Sequence, residues 1–424
     1  MTKHQPNLVG QKVETCDVLV LGGGPGGSAT ATLLAEAGLK VVIVEKDRHP
    51  RFHIGESLLP HSLTLLDRLG VRERVAEIGV MKPGAEFIRE DGGKTVVFNF
   101  DRALFDGPRH AYQVRRDRFD HLLFQRAQEA GAIALEETMA EVVSCDDDAA
   151  QVALRGADGS EQFFEAKFLV DASGRSTVTA KRGAEKRPDP RNTSAAIFGH
   201  FRGVPRHEGA RGGNIRIYLN DPGWMWQIPL SDGVTSLGLV APRDKIGERG
   251  NSLEAFFRDR TSRNPEFARI LENAEPVEPL RATGNFSYRA TRAYGPSHVR
   301  VGDAYGFIDP IFSTGVHLSL TSGTQAADIV LEALNKPKQR KRLLERYDRR
   351  IERRLSFVSW FIYSIHDPAF RHLMLNPRNL LGIEQAVISL LAGDFSTDPR
   401  LRLRIGLFKA IYWIFRARGA AKVG

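Results

Sequence analysis

The chain has 424 residues, 42% hydrophobic and 26% charged, which is enough for two or three packed units and too apolar for disorder or a fibrous repeat. Its two cysteines, Cys16 and Cys145, exclude a disulfide framework and show no metal-type spacing; the polar start up to Glu14 lacks a secretory pattern, so the expected address is the cytoplasm. The formal charge of +9 is local: from Lys336 onward 19 basic residues face 7 acidic ones, a net +12, leaving −3 before it. Such a tail suits an acidic partner, a membrane surface or a solvated helix face, and argues against nucleic acid, whose groove would need basic residues on the body too.

Asp17 to Leu21 predict a strand that runs into Gly22-Gly23-Gly24-Pro25-Gly26-Gly27, followed by a helix over Ser28–Gly38 and a second strand over Lys40–Val44. This strand, turn, helix, strand unit is a dinucleotide fingerprint. Gly22 permits the turn, Gly24 lets backbone approach a pyrophosphate, Gly27 lets helix pack on strand, and the helix N-terminus offers N–H groups to phosphates. Glu45 falls where a ribose-binding acid belongs, with Lys46 beside it, and a carboxylate there favours FAD or NAD over NADP.

Further along come Phe52-His53-Ile54-Gly55-Glu56-Ser57-Leu58-Leu59-Pro60, then Lys82 before Pro83, then Val114-Arg115-Arg116-Asp117-Arg118-Phe119-Asp120, whose Arg116 reads alone as an exposed charge at a helix start. Leu169 to Arg175 predict a strand that delivers Asp171 and Gly174 to the nucleotide-binding unit. Between Ser176 and Phe286 the β-type runs Ala195–Phe201, Ile215–Leu219, Trp224–Pro229 and Ser236–Val240 predict a separate antiparallel sheet. Trp224 and Trp226 would share one face of it, where paired tryptophans commonly fill a core. His298–Val301 predict a short strand ending at Gly302-Asp303. Ile311-Phe312-Ser313-Thr314-Gly315-Val316 leads into a helix over His317–Leu334, whose start could hold an anion on backbone N–H groups. Leu343–Trp360 is an arginine-rich helix. In the last helix, Leu401–Arg418, the apolar stripe Leu401, Ile405, Phe408, Tyr412 and Phe415 lies beside Arg402, Lys409 and Arg416, which fits a cover over the protein's own core or, as the lesser reading, a membrane or carrier contact. No run reaches the roughly 18 apolar residues of a membrane span. His53, His110, His317 and His366 have no metal spacing.

In combination these motifs resemble the flavin-dependent halogenases, relatives of FAD-dependent monooxygenases and geranylgeranyl reductases, over about residues 16 to 335. The resemblance rests on Gly223-Trp224-Met225-Trp226-Gln227-Ile228-Pro229, on Lys82 in Gly79-Val80-Met81-Lys82-Pro83-Gly84, on the Gly55-Glu56-Ser57 run and on Val301-Gly302-Asp303-Ala304-Tyr305-Gly306. It implies an α/β plus β chain: a Rossmann-like FAD-binding domain of the aromatic-hydroxylase type (15–175 and 287–335, with a lysine-bearing insert at about 76–115), an inserted antiparallel-sheet substrate domain (176–286) and a basic helical region (336–424). It also implies FAD, used as FADH2, with O2 and chloride or bromide, and a separate NAD(P)H:flavin reductase because no second nucleotide fingerprint is seen.

In that family Asp303 binds the ribityl chain and Arg116 lies near the cofactor. Gly55, Glu56 and Ser57 are flavin-side contacts, since no base pairs with Ser57. Thr314 and Gly315 seat the halide, Trp224, Trp226 and Pro229 wall flavin from substrate, and Lys82 presents the oxidised halogen. Phe312 departs from members acting on free tryptophan, which carry a glutamate there, and points to the phenol or pyrrole branch, whose aromatic substrates are often tethered to an acidic acyl carrier protein. Rival readings are a flavin hydroxylase or lipid double-bond reductase, and a non-catalytic flavin-binding accessory protein at a membrane.

Overall fold

The computed structural model describes residues 13–191, 193–247, 252–284 and 287–419. The first residues of the polar start, the boundary at Phe286 and the last five residues lie outside the described residues.

A parallel sheet forms around β1 (Val13–Leu21), which leads through the glycine turn into α1 (Pro25–Glu36) and back into β2 (Val41–Val44). All four residues of β2 are buried, which is why Val-Val-Ile-Val shows no polar alternation. Pro25 stands at the first position of α1, where its missing N–H is no loss, so the helix starts abruptly at the end of the turn.

The chain then forms α2 (Pro60–Arg68), β3 (Gly79–Lys82), β4 (Gly84–Ile88), β5 (Thr95–Asn99), β6 (Ala111–Val114), α3 (Arg116–Glu129), β7 (Ile133–Leu135) and β8 (Glu161–Asp171). β8 lies parallel to β1 on the side opposite β2, with Leu21 beside Asp171; β7 extends the other edge beside β2.

The second sheet is built from β9 (Ser194–Arg202), β10 (Ile215–Asn220), β11 (Gly223–Pro229), β12 (Thr235–Pro242) and β13 (Arg281–Gly284). Its order is β9-β12-β11-β10-β4-β5, with β13 on the outer side of β9. This differs from a separate antiparallel sheet confined to 176–286. β4 and β5 come from the lysine-bearing insert, and β4 pairs with β10 in parallel. The sequence of β4 and β5 carries β-type residues but nothing that names a partner 130 residues away in the chain.

Both faces of this sheet are covered, which explains its lack of clean alternation. Trp224, Trp226, Ile215, Ile217 and Phe87 join the core facing the nucleotide-binding sheet, whereas Met225, Tyr218 and Leu239 pack on the helices Leu253–Thr261 and Pro265–Leu271.

After β14 (His298–Arg300), which joins β8 in parallel, the chain is helical: α4 (Thr314–Asn335), α5 (Arg340–Ser364), α6 (Pro368–Leu375), α7 (Ile383–Leu391) and α8 (Pro399–Ala417). α8 buries Leu401, Ile405, Phe408 and Tyr412 against Trp360, Phe361 and Phe370, so it covers the protein's own core. Its cations are largely engaged: Arg402 lies 3.5 Å from the Phe357 ring centre, Lys409 4.5 Å from that of Trp360, and Arg416 3.3 Å from Asp367. Among the described residues no helix is long and apolar enough to cross a membrane.

Candidate active site

A cavity of about 540 Å³ opens between the two sheets. Gly22 and Gly24 line it, together with Glu45, Lys46, Gly55, Glu56, Ser57, Arg116, Asp303, Gly315, Trp224 and Trp226. Gly27, Thr314 and Pro229 are not on its wall.

The glycine turn fits a dinucleotide. Gly22 has φ +104°, and a Cβ on Gly27 would stand 1.9 Å from the Gly22 carbonyl oxygen, so Gly27 serves the close packing of helix on turn. A Cβ on Gly24 would meet only the Arg51 guanidinium, at 3.7 Å, and would project into the space a pyrophosphate needs. No side chain caps α1, which leaves its first N–H groups open toward the cavity.

Glu45 accepts hydrogen bonds from the backbone N–H groups of Gly23 at 2.9 Å and Asp47 at 3.1 Å, and pairs with Arg51 at 3.2 Å. Burial alone would raise its carboxyl; the Arg51 charge and the two backbone bonds outweigh that and hold it below the usual carboxylate range. Lys46 is exposed at the rim and 3.7 Å from Asp47.

Arg51 has no signature in the sequence. Its guanidinium bridges Glu45 and Asp120, and Asp120 also takes a two-pronged bond from Arg116, at 2.8 and 2.9 Å. Arg116 is buried, not an exposed helix-start charge, and its remaining N–H group donates to the Ile54 carbonyl at 2.8 Å. That bond ties the Gly55-Glu56-Ser57 run to α3. Asp171 ends β8 but does not line the cavity; it accepts from Ser173 and Thr179 and shapes the turn that follows. Asp303 faces the cavity, and burial pushes its carboxyl up to about 6.

Trp224 and Trp226 are both core and wall: they are 3% and 5% exposed, their ring centres are 5.6 Å apart, and both line the cavity. The Trp226 indole N–H donates to Ser236 Oγ at 3.1 Å.

Lys82 is 1% exposed at the end of β3. Its ammonium donates to Ser57 Oγ at 2.8 Å and to the Leu58 carbonyl at 2.9 Å, and sits 5.3 Å from the Phe100 ring centre. No carboxylate is among these partners, and burial lowers its pKa to about 7.

Lys82 lines a second cavity of about 10 Å³, room for one water, with Leu59, Phe87, Phe312 and Leu391. Two residues, Ile215 and Ser313, line both cavities, and Ser57 reaches from the first to the Lys82 amine. The partition next to Lys82 is therefore Ile215 and Ser313; the tryptophans stand farther along the same wall. Ser313 has φ +57° and turns the chain into α4, whose first residue, Thr314, is buried and whose second, Gly315, faces the larger cavity. No side chain caps this helix either, so its first N–H groups remain available to an anion. Among the described residues no group of histidine, cysteine and carboxylate side chains is placed to hold a metal.

Comparison with known proteins agrees with this geometry. A sequence profile described as tryptophan halogenase matches residues 17–107 and 101–372. The chain is 33% identical to a 1H-pyrrole-2-carbonyl-[peptidyl-carrier protein] brominase from Pseudoalteromonas luteoviolacea over 326 residues, 75% of this chain and 78% of the relative. It is equally 33% identical to a tryptophan 2-halogenase from Chondromyces crocatus over 316 residues, 73% of this chain and 60% of that protein's length. The solved structure of the myxobacterial chondrochloren halogenase, an FAD-dependent halogenase, superposes with a TM-score of 0.79 at 28% identity, covering 92% of this chain and 99% of that one. With its glycine turn, its buried lysine and its tryptophan wall, the chain belongs to the flavin-dependent halogenases, FAD-dependent oxidoreductases.

Proposed function

We propose that this chain oxidises a halide beside FAD and passes the resulting hypohalous acid to Lys82, which presents it to an electron-rich aromatic ring. When bound and reduced by a separate reductase, FAD supplies the electrons with which O2 oxidises the halide; reduced FAD, O2, halide and one proton become FAD, hypohalous acid and water. The observation that carries the reading is the placement of a fully buried lysine, without a carboxylate partner, in its own small cavity behind Ile215 and Ser313.

The Gly22–Gly27 turn, Glu45, Arg51, Arg116 and Asp303 would hold FAD. The first N–H groups of α4, at Thr314 and Gly315, would seat chloride or bromide. Trp224 and Trp226, on a stiff strand that ends at Pro229, would keep an organic substrate from the cofactor along the wall of the larger cavity, with Ile215 and Ser313 as the partition next to Lys82 that a small neutral oxidant passes. With its amine near 7, Lys82 populates both protonation forms: the neutral amine can take the halogen, and the ammonium can hydrogen-bond hypohalous acid.

Three features support a phenol or pyrrole on an acidic carrier protein as substrate. Phe312, apolar where an acid serves free tryptophan, lines the Lys82 cavity. The pyrrole brominase relative acts on a carrier-bound ring. Lys341, Arg342, Arg350 and Arg353 stay exposed on α5, where they would steer an acidic partner. A cavity the size of one water admits no ring, so Leu391 or Phe312 must move aside for the substrate.

The test supplies reduced FAD, O2 and bromide, and traps hypobromite with the wild type and Lys82→Ala. The expected result is bromide-dependent oxidant from both proteins and bromination of an aromatic acceptor by the wild type only. Oxygen uptake faster than that of reduced FAD alone but indifferent to bromide would mean a hydroxylase, and uptake no faster than that of reduced FAD alone a reductase or an accessory flavoprotein. Joint loss of oxidant and FAD binding in the variant would make Lys82 structural.

A further inference from the structure

Glu56 lines the FAD cavity with its side chain fully buried, and one carboxylate oxygen, Oε2, has no hydrogen-bond partner among the described residues. Its other oxygen lies 2.5 Å from Nε2 of His200, a β9 residue that does not itself line the cavity. On the far side of the ring, His200 Nδ1 is 3.6 Å from Glu278 Oε1, and the Glu278 side chain is 32% exposed. Two carboxylates thus bracket one imidazole, the inner facing the cofactor cavity and the outer facing water.

A buried carboxylate with an oxygen left open is unfavourable unless it has work to do at that oxygen. The stoichiometry above names such work, since each halide oxidised takes up one proton in the cavity that Glu56 lines. We propose that Glu56, His200 and Glu278 are a proton path from solvent to the cofactor cavity. A proton arriving on Glu278 passes to the bare Nδ1 of the Nε2–H tautomer of His200 as the Nε2 proton passes to Glu56; the Glu56 carboxyl turns to release that proton into the cavity, and the ring, now protonated at Nδ1, turns to present its bare nitrogen for the next one. Each group gains and loses one proton, and nothing is oxidised. The 3.6 Å gap closes by a small rotation of the surface glutamate.

The other charge acting on the ring is Arg115, just past β6, and behind it Arg281 of β13 binds Glu278 Oε2 at 2.9 Å. Burial and Arg115 pull the His200 pKa down, while the hydrogen bond and charge of Glu56, with Glu278 behind, outweigh them and hold it above the ordinary histidine value. A ring so placed takes up a proton more readily than a free histidine and can still release it.

The inference rests on the halogenase reading, so its test has an arm that needs no turnover. In the ligand-free protein, the His200 ring nitrogens should titrate by NMR above the usual histidine range in the wild type and below it in Glu56→Gln. In the loaded enzyme, His200→Gln should keep FAD affinity but make hypobromite about 10- to 100-fold more slowly at pH 8, with the rate recovering as imidazole is added at fixed pH. Glu278→Gln, at the surface, should slow it in the same direction without risk to folding. Slow variants that no buffer acid rescues would reduce the triad to a structural ion pair, and an unchanged titration in Glu56→Gln would show that Glu56 and His200 share no proton, which overturns the path. A wild type that makes no hypobromite would count against the halogenation reading, while the titration would still show whether Glu56 and His200 are coupled.

Discussion

Lys82→Met should be more stable than the wild type at neutral pH and fail as a halogenase. In the fold the lysine titrates near 7, in an unfolded chain near 10.5. Between those values the unfolded state binds a proton that the folded state does not, so stability rises with pH across the window. Below pH 7 the destabilisation by the buried ammonium is fully present, and it is relieved as pH climbs toward 10.5. The difference corresponds to at most about 4 to 5 kcal/mol at pH 7.

Methionine removes that burden and fills similar volume, but leaves Ser57 Oγ and the Leu58 carbonyl without their donor, at about 1 kcal/mol each. The net expectation is a gain of about 1 to 3 kcal/mol, read as a Tm a few degrees higher at pH 6 to 7 and a gap that closes by pH 10. Halogenation should fall about 10²- to 10³-fold, the scale of losing one group that acts only on the reacting species. Melting curves at several pH values check the first half, and aromatic bromination the second. A variant less stable than the wild type at every pH would show that the hydrogen bonds, not desolvation, dominate at this site.

The same balance explains which parts of the site could be read from the sequence. The glycine turn and Glu45 were legible as a local pattern with one physical purpose, the Trp-Met-Trp run was legible by itself only as a core strand, and Asp303 only as a family landmark; their strands and helices lie within a few residues of where periodicity puts them. Arg116 was legible only as a family landmark, and its burial against Asp120 reverses what a lone helix-start arginine suggests. Arg51 and His200 were not legible at all. Each acts through a partner on another element, Asp120 for the first and Glu56, 144 residues distant, for the second.

The strands β4 and β5 and the helices behind the second sheet were missed for a related reason. The pairing of β4 with β10 is decided by tertiary contact and leaves no period in the sequence. The reading of the tail was right about the apolar stripe of α8, but the stripe's cations are mostly seated on Phe357, Trp360 and Asp367. An exposed charge and one laid on an aromatic face look alike in a sequence.

Gly213→Ala should separate FAD binding from halogenation at a position in neither cavity. Gly213 ends the short helical turn Gly209–Gly213, and its carbonyl accepts a 3.0 Å bond from the Gln113 amide. Gln113 belongs to β6, which pairs with β3, and it also bridges to Ser57, so the Lys82 strand, its partner and the hydroxyl holding the amine form one frame. A Cβ on Gly213 would stand 1.7 Å from the carbonyl oxygen of Met81, the peptide that leads into Lys82. Real Cβ contacts do not fall under 3.0 Å, and both sides here are backbone, so β3 must retreat by at least about an ångström. A shift of that size in a positioned group costs about 10²-fold in rate. FAD affinity should stay within about threefold, because neither Gly213 nor Met81 touches the larger cavity, and stability should drop by about 1 to 3 kcal/mol. Gly406→Ala, on an exposed face of α8 where the added methyl meets nothing, is the matched control and should gain about 0.5 to 1 kcal/mol. Flavin fluorescence quenching reads the binding, trapped hypobromite the oxidant, and aromatic bromination the delivery. Loss of bromination with oxidant and binding intact would place the Lys82 strand, and not the cofactor, at the step where halogen meets substrate; loss of all three together would make Gly213 a folding residue only.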